Sequence, residues 1–289
     1  MRKGEQRFAL TCCAPATAVV ALITFYPVAY AIVLSAYRTS FARVQGYVGL
    51  GNFVRLLHDS TILQSIGRTL TFVFSSVALS MALGYAMALL LNQDLPAKGL
   101  IRAIVVAPWV IAEVSAAIAW RWLLDPGLSP VMVALRSWSM PNLDFLSHPT
   151  WAMIAVIAVG VWRFYPFPMI LLLAALQAIP REIDEAAAVD GASLWKRLLY
   201  VTTPLVRGSL LVSTILSTLF YFNKIVVPLV LTGGGPGNAT ELLTIRLYRE
   251  AFYGGNLGYA AAISCLILLI NALVSLLYFR VLRIEEGHA

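Results

Sequence analysis

Long apolar stretches separated by short polar connections dominate this chain. Six runs of mostly apolar residues lie at roughly 8–37, 65–92, 100–124, 150–178, 205–231 and 256–282. Each can cross the ~30 Å hydrocarbon layer of a bilayer as a helix, which takes about 20 residues. Strands of a membrane barrel would read as alternating segments of about ten residues, and these runs do not alternate. The pattern predicts an all-α integral membrane protein, one transmembrane domain over 1–289 with six spans and a polar loop at 179–204. Pro15, Pro27, Pro108, Pro166, Pro168 and Pro228 fall inside spans. Membrane helices tolerate proline where neighbours re-satisfy the freed backbone groups, and the kinks can open a cavity at mid-membrane.

Composition agrees with this reading. The chain is 60% hydrophobic and 12% charged, against about 25% charged in a soluble domain. The net charge of +7 sits at the edges of spans, so it reports topology rather than nucleic acid. With the N-terminus inside, the inner segments (from Arg2 and Lys3 to Arg280 and Arg283) hold 11 basic residues. The outer ones, from Arg38 to Arg249, hold 7. That bias puts both termini in the cytoplasm. The first run far exceeds the 7–15 apolar residues of a signal peptide and reads as a retained span.

The candidate chemistry is sparse. Cys12, Cys13 and Cys265 lie within spans without metal-ligand spacing, and His58, His148 and His288 lie outside the spans. Gly233-Gly234-Gly235-Pro236-Gly237 lacks the Gly-Lys-Ser/Thr ending of a phosphate-binding loop, so it reads as a helix stop. No nucleophile–base or paired-carboxylate arrangement occurs. These absences leave no catalytic constellation and no ATP site in view, so a pump built on this chain would be non-catalytic. Its energy would come from another subunit or, in the alternative reading, from an ion gradient used by a secondary transporter. Secondary transporters usually show two repeated halves, and no repeat is visible here.

The loop at 179–204 is too polar and too short to span. Pro180 suits a helix start, and Glu182, Asp184 and Glu185 suit the positive end of a helix over 181–189. Asp190-Gly191 reads as a stop, because glycine takes the left-handed conformation easily. Ser193 can cap a second helix bearing Leu194, Trp195, Leu198 and Leu199. The residues predict a bent helix pair lying along the membrane, with little bulk at Ala186, Ala187 and Ala188.

Glu185-Ala186-Ala187, then Gly191, then Pro204 resembles the "EAA" coupling loop of bacterial ABC importer permeases. Leu176-Gln177-Ala178-Ile179-Pro180, Asp190-Gly191-Ala192-Ser193 and Leu231-Thr232-Gly233-Gly234-Gly235-Pro236 resemble the carbohydrate-uptake branch of that family. So do Tyr26-Pro27, Gly49-Leu50-Gly51-Asn52-Phe53 and Gly258-Tyr259-Ala260-Ala261-Ala262-Ile263. The glycine loop and plain basic C-terminus look like the maltose-type "F" half. Thr203-Pro204 stands where Leu-Pro is usual, and the extra N-terminal spans and periplasmic insertion of the maltose protein are missing. The resemblance implies the type I ABC importer permease fold and a place in the bacterial cytoplasmic membrane. It implies a second, unlike permease subunit, an ATPase dimer that binds ATP and Mg, and an extracytoplasmic sugar-binding protein. Glu185, Ala186, Ala187, Asp190 and Gly191 would couple to the ATPase.

Charges inside spans cost several kcal/mol and default to functional candidates. Gly160, Arg163, Phe164 and Phe167 follow i, i+3, i+4, i+7, as do Ser217, Phe220, Tyr221 and Lys224. Each set forms one stripe on a helix. Aromatic rings can stack on the C–H faces of a sugar while polar groups take its hydroxyls. By resemblance these positions line the sugar path of maltose-type permeases. Two readings stay open. Small and polar residues such as Gly160 and Ser217 also serve helix packing. Arg163 with Lys224 suits an anionic sugar derivative, whereas Glu113 can neutralise one of the two. Arg121, near the outer end of its span, is expected to snorkel.

Overall fold

A computed structural model of the chain describes residues 3–41, 43–137 and 144–286; Arg2 and His288 lie outside them. Among the described residues three helices are long and apolar enough to cross a bilayer: Thr11–Ser35, Ser60–Asn92 and Leu257–Tyr278. Three bent helix pairs bring the number of spans to as many as six. The contacts divide the chain into two compact units. One runs to Leu63 and takes in Arg246–Leu269; the other holds Gln64–Ile245 and the chain from Ile270 on.

In the first unit, α1 (Lys3–Ser35) leads into a hairpin, β1 (Tyr37–Ser40) and β2 (Arg43–Tyr47), followed by α2 (Gly51–His58). The hairpin departs from the purely helical expectation, and the first span stops at Ser35 rather than 37. The motif at 49–53 explains the stop. Asn52 is buried, and its amide donates to the carbonyls of Ser35 (2.7 Å) and Tyr37 (2.9 Å). Two carbonyls that no helical N–H reaches are thereby satisfied. Gly258 donates its N–H to the Thr39 hydroxyl at 2.8 Å. A Cβ there would stand 2.0 Å from the Tyr37 carbonyl oxygen, so only glycine permits this approach.

The second unit is built on α3 (Ser60–Asn92), which begins in the first unit, and on helices that break. α4 (Lys98–Val110) and α5 (Glu113–Leu123) meet at 94°, and α6 (Pro130–Ser137) follows. α7 (Pro149–Phe164) and α8 (Pro166–Gln177) meet at 42°. The latter bend follows from Pro166, which has no N–H for the i−4 carbonyl. Two more expected spans are broken rather than straight. The run 100–124 is not one rod: Ile111 and Ala112 are extended, with ψ near 136° and 132°. The run 205–231 is not one rod either. It comprises α12 (Arg207–Phe222), a break at 223–225 and α13 (Val226–Thr232). The segment Leu194–Leu205 joins α12 at 70°.

Broken backbone within a membrane needs partners for its polar groups, and these breaks have them. Arg163 donates to the Ile111 carbonyl at 3.2 Å. Pro228 has no N–H for the Lys224 carbonyl, and the Thr244 hydroxyl donates to that carbonyl at 2.7 Å. Two apolar cores hold the helices. One gathers Phe72, Val77, Val156, Phe164, Phe222 and Leu231; the other gathers Leu91, Val105, Met169, Leu172 and Val206.

Candidate functional site

The breaks at 111–112 and 223–225 and the end of α7 place three charges together. Glu113 opens α5, where a carboxylate suits the helix dipole. Lys224 Nζ donates to Glu113 Oε1 at 2.8 Å, and Arg163 Nη1 stands 3.9 Å from Glu113 Oε2. Glu113 thus lies near both cations, and the lysine is the closer partner. Lys224 lies past the last helical residue, Phe222, so its stripe ends at the break rather than continuing along a helix. Its ammonium also sits 3.9 Å from the Phe220 ring centroid.

Beside this cluster is a cavity of about 530 Å³, lined by Trp109, Glu113, Phe164, Phe167, Phe220, Asn223 and Lys224 with apolar neighbours. Phe164 and Phe220 stack with centroids 4.0 Å apart, Phe164 and Phe167 at 5.2 Å, and Trp109 meets Phe167 at 6.2 Å. The cavity thus has an aromatic wall ending in a charged group.

The two stripes divide between cavity and packing. Phe164, Phe167, Phe220 and Lys224 reach the cavity. Tyr221, Ser217 and Arg163 do not line it. Tyr221 is 1% exposed, shares a 2.7 Å hydrogen bond with Ser80 and donates to the Gly160 carbonyl at 3.2 Å. Ser217 is buried, and its hydroxyl has no hydrogen-bond partner among the described residues. Arg121 donates to the Val230 carbonyl at 3.2 Å and so pins α5 to α13. Cavity residues outside the stripes include Asn223, Trp109, whose signal was its place next to Pro108, and Glu113, noted only as a counter-ion.

The helix pair after α8 is α9 (Arg181–Val189) and α10 (Leu194–Arg197), continued by a π turn at Leu198–Thr202 and by α11 (Thr203–Leu205). Gly191 has φ +77°. Its N–H bonds to the Ala188 carbonyl, and that of Ala192 to the Ala187 carbonyl, both at 3.1 Å. This is a Schellman closure of α9. Ser193 Oγ accepts from Lys196 N at a long 3.5 Å. Arg197 grips both carboxylate oxygens of Asp184, a fork that fixes α10 against α9. Glu185, Ala186, Ala187 and Asp190 sit on or directly after α9. Val189, Leu194, Trp195 and Tyr200 are exposed at 86%, 76%, 73% and 77%, an apolar face on a rigid element.

Comparison with known proteins places this architecture. The chain is 33% identical over 274 residues to the trehalose/maltose transport system permease protein MalF of Thermococcus litoralis, covering 94% of this chain and 92% of that one. It is 34% identical over 281 residues to the trehalose transport system permease protein SugA of Mycobacterium tuberculosis, covering 96% and 90%. The fold matches a chain of the bacterial alginate ABC transporter crystallised with its alginate pentasaccharide-bound periplasmic protein. There the TM-score is 0.83 at 21% identity, over 95% and 93% of the two chains. Residues 80–283 match the family described as binding-protein-dependent transport system inner membrane component, and the chain belongs to that family.

Proposed function

We propose that this chain is one of two unlike membrane-spanning subunits of an ATP-driven importer. The importer takes a sugar from an extracytoplasmic binding protein and passes it through the cytoplasmic membrane. The chain itself is non-catalytic and carries no cofactor; ATP and Mg belong to the ATPase dimer. Both termini face the cytoplasm.

The observation that carries this reading is the helix pair at 181–205. An exposed apolar face on a doubly closed, ion-paired element is costly in water and is the mark of a docking surface. Glu185, Ala186 and Ala187 lie in the second half of α9, and Asp190-Gly191 form the turn that closes it. On this reading the pair seats in a groove of an ATPase subunit, and a second permease fills the other groove of the dimer. The cavity beside Glu113 and Lys224 would be this subunit's share of the sugar path. Its aromatic wall suits the weak, stacked binding that lets a carrier release its cargo.

Purification of the tagged chain from its native host in mild detergent tests the assembly. The expected result is a complex with a second, different permease and two ATPase copies. A homodimer without a second permease, or a chain free of ATPase, overturns the proposal.

A further inference from the structure

We infer that Glu113 is a specificity-determining residue of the cavity, accepting hydroxyls of a neutral sugar, and that the cavity disfavours an anionic one. The inference rests on the cavity being the sugar path proposed above. It turns on which member of the charge cluster faces the ligand. Lys224 is the obvious candidate for an anion, but its ammonium is already ion-paired and covered by a ring. Its side chain is 10% exposed, one proton goes to Glu113 Oε1, and the face of Phe220 covers it at 3.9 Å. Arg163 does not line the cavity, and its guanidinium points to the Ile111 carbonyl.

Glu113 is the most exposed of the three, at 21%, and lines the cavity. A carboxylate offers about four acceptor positions. Oε1 takes one hydrogen bond. Arg163 stands 3.9 Å from Oε2, too far for a hydrogen bond. Open acceptor capacity therefore points at a space walled by Trp109, Phe167 and Phe220. Sugar hydroxyls donate hydrogen bonds, and sugar C–H faces stack on rings; this end of the cavity meets both needs. An anionic group would also meet the carboxylate. The Lys224 ammonium lines the same cavity but is paired with that carboxylate, so its attraction is partly cancelled at contact. The lost hydration of the anion is then only partly compensated.

The test uses the complete transporter in lipid nanodiscs and saturation-transfer NMR, which reads weak binding. Trehalose and maltose are the neutral probes, and sn-glycerol 3-phosphate is the anionic one. The wild type is expected to give signal with trehalose or maltose and much less with the phosphate. Glu113→Gln should weaken the sugar signal about fivefold or more, because a charged acceptor is replaced by a neutral one. Glu113→Gln with Lys224→Gln has the same net charge as the wild type and should not restore binding. A wild type that prefers the phosphate, or binds neither sugar, overturns the inference. So does a Glu113→Gln variant that binds as the wild type does, or a double variant that recovers, since Glu113 would then be only a counter-ion. The wild-type comparison stands whether or not the variants assemble, and the copurification result is independent of all these outcomes.

Discussion

Lys224 and Glu113, 111 positions apart in the chain, join at 2.8 Å where two broken helices face each other. Ion pairs in such places are unequal in their consequences. Removing one partner leaves a charge in a poor solvent, whereas removing both can be nearly neutral. Lys224→Ala should therefore destabilise the assembled transporter by about 3 kcal/mol. The double variant Lys224→Ala with Glu113→Ala should cost less than either single change. A double-mutant cycle on thermal midpoints in detergent measures this. Additive losses would show that the pair contributes nothing as a pair.

Gly191 supports a second prediction. Its φ of +77° strains any side chain, yet a Cβ there meets nothing within 4 Å. The cost of substitution is backbone strain alone, about 1–2 kcal/mol. Gly191→Val should weaken ATPase association about 5- to 30-fold, and Gly191→Asn should do less, because asparagine tolerates the left-handed region. On the proposed assembly, surface plasmon resonance between the purified permease and the ATPase ranks the variants. Equal effects of Val and Asn would separate docking from this turn.

The opposite holds at Gly258, where space is the constraint. Gly258→Ala puts a methyl carbon 2.0 Å from the Tyr37 carbonyl oxygen, and backbone on both sides must move. Expression of folded protein should fall sharply, with the β-hairpin becoming open to limited proteolysis. A variant with wild-type yield and protease resistance would rule out the close approach.

Asp59 gives a prediction on pH. Burial pushes its carboxyl up from the ordinary 3.8, but hydrogen bonds from Thr61 and Tyr259 and the nearby Arg246 bring it below that value. A carboxyl lowered in the folded state stabilises above its unfolded value and loses that contribution as pH falls through the folded one. Asp59→Asn should therefore lower the thermal midpoint at about pH 7 and narrow the gap to the wild type below about pH 3.8. A gap that widens in acid would contradict the assignment.

Much of this protein was legible in its sequence. The helix pair after the fourth span follows from Pro180, Gly191 and Ser193, whose local preferences the fold does not override. The second and last long helices follow from unbroken apolar runs. The breaks at 111–112 and 223–225 were not legible, since neither contains proline or glycine. They depend on distant partners, Arg163 for one carbonyl and Thr244 for the other. The stripe rule failed at Lys224 for the same reason, because helical spacing stops at Phe222. Tyr221 shares the right face with Phe220 by spacing, yet Ser80 and Gly160 draw its hydroxyl into the packed interior. Glu113 was visible as a charge, but its exposure to a cavity depends on three segments meeting.

The first helix leaves one consequence. Among the described residues, none in its most apolar 18-residue window is buried, so packing within the first unit places little demand on the shapes of those side chains. The last turn is held through the Asn52 amide on the Ser35 carbonyl. Residues 11–34 should therefore be exchangeable for an unrelated apolar sequence of equal length without harm to this subunit's own fold. A single change at Asn52 would untie the whole segment. The body of the helix answers to whatever surrounds the chain, and its end answers to the chain.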